Sequence, residues 1–139
     1  MAAKDDEVRW AGQQAVIATP AEIDVTNTDG VRQALLTAAS LGPPVLIIDM
    51  SRTTFCDSAG VQAIIATYRQ AKGTRTQVRL VATTVLRILT LVGADQLIPI
   101  YPTLEAALAE APGAEADSHG TGAVPASADP ADPAAAGDT

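Results

Sequence analysis

The sequence predicts a single α/β domain built on a mixed sheet of four or five strands with about four helices. Three observations carry this. Segments with a two-residue apolar period alternate with segments of helical period along the first 110 residues. Strands joined through helices run parallel, and an N-terminal hairpin adds an antiparallel edge. A chain of 139 residues that is 47% hydrophobic but only 3% aromatic has one domain's worth of core, and that core is aliphatic.

Val8 to Trp10 and Ala15 to Thr19 read as two short strands around a turn at Gly12, Gln13 and Gln14. Pro20 to Asp24 reads as a connection. Thr26, Asn27 or Thr28 caps a first helix from about Asp29 to Ala39, with Val31, Leu35 and Ala38 on one face, and Gly42-Pro43-Pro44 stops it. Val45-Leu46-Ile47-Ile48, followed by Asp49, is an unbroken apolar run bounded by proline, which marks a central strand covered on at least one face.

Ser51 to Cys56 reads as a loop. A second helix runs from about Ser58 to Lys72, with Val61, Ile64, Ile65 and Tyr68 as its apolar stripe and Gly73 in the C′ position. Val78 to Val81 is the next strand, polar at Arg79. Val85, Ile88, Leu89 and Val92 give a third helical stripe ended by Gly93, and Leu97 to Tyr101 is a short last strand. Leu104 to Glu110 is the final helix, with Leu104 and Leu108 facing inward. Trp10, Phe55, Tyr68 and Tyr101 are expected in or against the core. Arg69, Lys72 and Arg75 are expected in solvent at the end of the second helix.

Three parts are expected: a flexible start over 1–6, a folded domain over 7–110, and a disordered acidic Ala/Pro-rich tail over 111–139. The net charge of −7 sits mostly at the end. Six acids and no Lys or Arg occur from Glu110 onward, whereas residues 1–109 hold ten acids against nine bases. A tail of Ala, Pro, Gly, Ser and Asp buries too little apolar surface to offset its ordering entropy. The nearly neutral folded part lacks the basic footprint of a nucleic-acid binder. No run reaches the roughly 20 apolar residues of a membrane span. The polar opening Met1 to Glu7 lacks an apolar signal region, and the single Cys56 fits a reducing compartment. The expected location is the cytoplasm.

The chemistry concentrates in Phe55-Cys56-Asp57-Ser58-Ala59-Gly60-Val61, between a buried strand and an amphipathic helix. A hydroxyl there sits at a helix N-terminus, where free N–H groups and the helix dipole favour negative charge. A phosphate on Ser58 is therefore compatible with the fold and adds roughly −1.5 to −2 charges beside Asp57. Asp57 or Ser58 also fits a plain N-cap, which the local pattern alone favours; capping and phosphorylation do not exclude one another.

A serine nucleophile needs a base and an oxyanion hole. The only histidine, His119, lies in the tail, and Cys56 stands where a Gly-x-Ser-x-Gly elbow requires its first glycine. Cys56 has no second cysteine for redox or metal work and reads as a buried thiol. There is no Gly-rich phosphate cradle. No cofactor and no metal are expected, and the chain is not expected to be an enzyme.

Pro44 to Leu108 resembles the STAS domain, named for sulfate transporters and anti-sigma factor antagonists. Val45 to Ser51 resembles its third strand. Phe55 to Val61 resembles its Asp-Ser-x-Gly motif. Arg79 to Ala82 with Val85 to Leu91, then Ile98 to Leu108, is similar to its C-terminal half. Ala21-Glu22-Ile23-Asp24 resembles the Gly-Glu-Leu-Asp segment before its first long helix. The likeness covers about Glu7 to Glu110, and four segments in order at the family's spacing are far more specific than the short motif.

The resemblance implies helices mainly on one face of the sheet, and an anti-sigma factor antagonist. Such a protein binds an anti-sigma factor that is also a serine kinase. Phosphorylation of the motif serine, here Ser58, switches it off, a serine phosphatase restores it, and sigma-dependent transcription follows. Asp24, Asp57, Ser58, Ala59 and Gly60 are the implied contact residues, with Asp24 near Ser58 in space and Asp57 shaping its electrostatics. Ala59 stands where many relatives have a hydroxyl residue, and Ala21 replaces the family's glycine; neither removes the acceptor. A second reading is an unregulated scaffold subunit of a sensory complex.

Overall fold

The computed structural model describes residues 8–110. The expected flexible start, the acidic tail and His119 lie outside the described residues. Strands β1 (Val8–Ala11) and β2 (Gln14–Ala18) form the predicted antiparallel hairpin. Its tight turn needs a left-handed residue, and Gly12 supplies it at φ +63°. Strand β4 (Val45–Asp49) pairs in parallel with β2, and β6 (Gln77–Val81) in parallel with β4. Strand β7 (Ile100–Tyr101) closes the order β1-β2-β4-β6-β7. Two further strands, β3 (Glu22–Ile23) and β5 (Phe55–Cys56), make a separate parallel ribbon.

Four helices cover this mixed sheet: α1 (Thr28–Ser40), α2 (Ser58–Lys72), α3 (Leu86–Leu91) and α4 (Leu104–Ala109). The period-two rule sorts the central residues between the two faces. Leu46 and Ile48 join Ala15, Ile17, Val78 and Leu80 beneath α1, α2 and α3, meeting Val31, Leu35, Val61, Ile64 and Leu89. Val45 and Ile47 join Val16 and Val81 on the other face, where α4 contributes Ala107, Leu104 and Leu108. Three helices on one face and one on the other explain why β4 is apolar at four consecutive positions, all wholly buried.

Several expectations are corrected. Leu97 is outside the last strand: a 3₁₀ turn over Ala94–Gln96 precedes it, and only Ile100 and Tyr101 pair with β6. Gly73 ends α2 at φ −81°, so no left-handed cap forms there. Trp10 and Phe55 are not core residues: they are 53% and 50% exposed. Arg79 is buried, and its Nη1 donates to the Ala107 carbonyl of α4 at 2.7 Å.

Candidate functional site

The site grows from two loops laced together below the start of α2. The Thr53 hydroxyl donates to the Pro20 carbonyl at 2.7 Å. Its single proton is thus used, so the buried Thr19 hydroxyl donates to Thr53 Oγ1 at 2.6 Å. Thr54 N–H donates to the Ala21 carbonyl at 2.8 Å. These bonds start the β3–β5 ribbon, in which Glu22 pairs with Phe55 and Ile23 with Cys56. Asp57 N–H continues the ladder to the Ile23 carbonyl at 3.1 Å. Asp24 and Asp57 therefore follow directly on paired residues, and the segments expected to share the site do meet.

Asp57 is the N-cap of α2. Its backbone is extended, at φ −87° and ψ −177°, and its Oδ1 accepts from Gly60 N–H at 3.0 Å. This assigns the cap to Asp57 and leaves Ser58 as the first helical residue. Ser58 is exposed, and among the described residues its hydroxyl has no hydrogen-bond partner. Ala59 is partly exposed beside it. Gly60 is buried, and its place in the motif is one of packing: a Cβ there would lie 2.6 Å from Cys56 Sγ and 2.7 Å from Ile23 Cγ2. Only glycine lets α2 begin this close to the ribbon.

Asp24 anchors the loop that leads into α1. Its Oδ1 accepts from Thr26 N–H at 2.9 Å and Thr26 Oγ1 at 2.5 Å. The Thr26 hydroxyl and then its N–H hold the Asp24 carboxyl below its ordinary value, so it is charged at neutral pH. Asn27 Oδ1 accepts from Asp24 N–H at 3.0 Å, and Asn27 Nδ2 donates to the Glu22 carbonyl at 2.7 Å. The Thr28 hydroxyl donates to the Asp24 carbonyl. Asn27 thus stands at the N-cap position of α1 but spends its side chain on the loop, not on the helix. Cys56 is buried, and burial first, with the Asp57 charge second, pushes its thiol up to about 11. It stays a neutral thiol at physiological pH and is a poor nucleophile.

Two exposed apolar residues were not singled out from sequence as site residues. Val25 is 80% exposed at the tip of the Asp24 loop, and Phe55 projects from β5 opposite Glu22. The signal was available: an isolated valine in a polar capping stretch, and the chain's only phenylalanine in a loop-like segment. Among the described residues, no group of three or more His, Cys, Asp or Glu side chains is arranged to hold a metal ion. No described helix is long and apolar enough to cross a membrane.

The family model of the STAS domain matches residues 6–107. The chain belongs to the STAS domain family. Among solved structures it is similar to an anti-sigma factor antagonist from Mycobacterium paratuberculosis, at 32% identity over 73% of this chain and 88% of that one, with a TM-score of 0.66. It shares its fold with an anti-sigma-factor antagonist (STAS) domain protein from Planctomyces limnophilus, at 21% identity over 73% of this chain and 92% of that one, TM-score 0.66. It shares it also with the Bacillus cell fate determinant SpoIIAA in its phosphorylated form, at 21% identity over 73% of this chain and 95% of that one, TM-score 0.56. No curated protein matches the chain at a significant level. The STAS match spans the hairpin, the β3–β5 ribbon and the whole motif around Ser58.

Proposed function

We propose that this STAS domain is an anti-sigma factor antagonist of the cytoplasm, whose binding to an anti-sigma kinase is switched off by phosphate on Ser58. The observation that carries this is the exposed, unpartnered Ser58 hydroxyl on the first turn of α2, with Asp57 already holding the cap. A side chain that the fold does not use is free for another protein to modify.

The chemistry asked of Ser58 is small. Its Oγ forms a bond to the γ-phosphorus of ATP held by the kinase as the bond to ADP breaks, and the hydroxyl proton passes to a base of the kinase. The phosphoserine then faces the diphosphate left on the nucleotide, with Asp57 beside it. Like charges brought together in a desolvated contact repel, so the product complex comes apart. A serine phosphatase returns the hydroxyl by hydrolysis. No step uses a catalytic group of this chain, in keeping with the neutral Cys56 thiol.

Incubation with ATP and the candidate anti-sigma serine kinases of the same organism, followed by mass spectrometry, tests the reading. Phosphate is expected on Ser58. Ser58→Ala should keep kinase binding and Ser58→Asp should lose it. Tight binding that ignores Ser58→Asp would instead support an unregulated scaffold subunit of a sensory complex.

A further inference from the structure

We infer that Val25 and Phe55 are the apolar anchors of the surface that docks the Ser58 kinase, and that the surface they fit is an apolar pocket with a basic rim. This rests on Ser58 being the acceptor of that kinase. A protein that delivers phosphate to Ser58 must cover the residues around it. Those include the β3–β5 ribbon, which ends at Cys56, two residues before the hydroxyl.

Two observations mark Val25 and Phe55 among the covered residues. The first is rigidity. The Asp24–Thr28 loop is held by hydrogen bonds from Thr26, Asn27 and Thr28, yet it presents a valine that is 80% exposed. An apolar side chain fixed in water gains nothing for the fold, whereas a fixed anchor gives up little conformational entropy on binding. Phe55 is set in the same ribbon, its β5 neighbour Cys56 locked inward against Gly60. Aromatic anchors with rigid backbones are where binding energy concentrates.

The second observation is charge. Residues 10–31 contain Glu22, Asp24 and Asp29 and no Lys or Arg, and residues 53–68 contain Asp57 and no Lys or Arg. The arginines that flank these segments sit elsewhere: Arg32 is on α1, Arg69 is in the last turn of α2, and Arg9 and Arg52 line a separate cleft with Glu105. The ribbon and the start of α2 are therefore acidic around two apolar projections. The complement is a basic rim around an apolar pocket, which also explains selection by steering as the surfaces approach.

The test uses the full chain and the same candidate kinases with Mg-ADP, comparing Kd for wild type, Phe55→Ala, Val25→Asn and a control, Leu41→Asn. Leu41 is as exposed as Phe55 but caps the far end of α1. Phe55→Ala and Val25→Asn should each weaken binding by about tenfold, with the control unchanged. Raising NaCl from about 50 to about 300 mM should weaken the wild-type complex several-fold. If Phe55→Ala melts early, Phe55→Leu with Val25→Asn decides. Unchanged Kd in both site variants, while Ser58 is still phosphorylated, overturns the docking surface and leaves Ser58 as the acceptor. No kinase binding and no phosphate on wild-type Ser58 overturns both.

Discussion

A hydrogen atom in place of a methyl group at residue 60 decides how closely α2 approaches the ribbon, and so where Ser58 sits. The Cβ of an alanine would meet Cys56 Sγ at 2.6 Å and Ile23 Cγ2 at 2.7 Å, both on short side chains in the buried interior. Alanine gains up to about 1 kcal/mol of helix propensity, less in the first turn, against an overpacking cost of about 1–3 kcal/mol. Gly60→Ala should therefore destabilise the domain by about 1–2 kcal/mol in urea unfolding. The cost should shrink in a Cys56→Ala background, where one of the two clashing atoms is gone. A Gly60→Ala variant at least as stable as wild type would show that the ribbon yields. The motif's glycine was legible in the sequence, but its reason was not. The reason is a contact with Ile23, 37 positions away in the chain, and no local pattern encodes that.

At the scale of elements, legibility followed length. The run Val45 to Ile48 and the stripes of α1 and α2 span enough residues to display a period, and each formed where expected. The strands β3 and β5 have two residues each, too few to show any period, so the sequence placed that ribbon only as a connection and a loop. Arg79 is legible only as a polar strand position. Alternation alone assigns it no burial and does not show that β6 lies between β4 and β7 with α4 over that face. The aliphatic stem is enclosed and the guanidinium reaches the Ala107 carbonyl near the negative end of α4. A helix of six residues has no stability of its own, so this bond and the packing of Leu104, Ala107 and Leu108 hold it. Arg79→Ala opens a cavity and strips a donor from a buried carbonyl, and should cost about 2–4 kcal/mol. Hydrogen exchange should show the Ala107 amide losing protection before β4 does. Equal loss in both would mean that α4 is not held separately.

For the whole molecule, the question is whether the switch and the fold are independent. The central strands β2, β4 and β6 are parallel, so their carboxyl ends lie together, and the chain leaves β4 there and builds the ribbon and the start of α2 beyond it. The large cluster of buried residues lies beneath the helices and includes the wholly buried Leu46 and Ile48 of β4. Ser58 contributes nothing to that cluster. A negative charge at the first position of α2 meets the positive end of the helix dipole, worth about 0.3–1 kcal/mol, set against repulsion from the Asp57 carboxylate next to it. The two effects oppose at similar size, so Ser58→Asp should shift the midpoint of thermal unfolding by less than about 4 °C in either direction. Loss of kinase binding in that same protein would then come from the surface alone. A large fall in the unfolding midpoint would mean that the charge acts by loosening the start of α2. The switch would then be one of order in the ribbon and not of repulsion at the contact, and Asp57→Asn, which keeps an acceptor for Gly60 N–H while removing the neighbouring charge, should restore the lost stability.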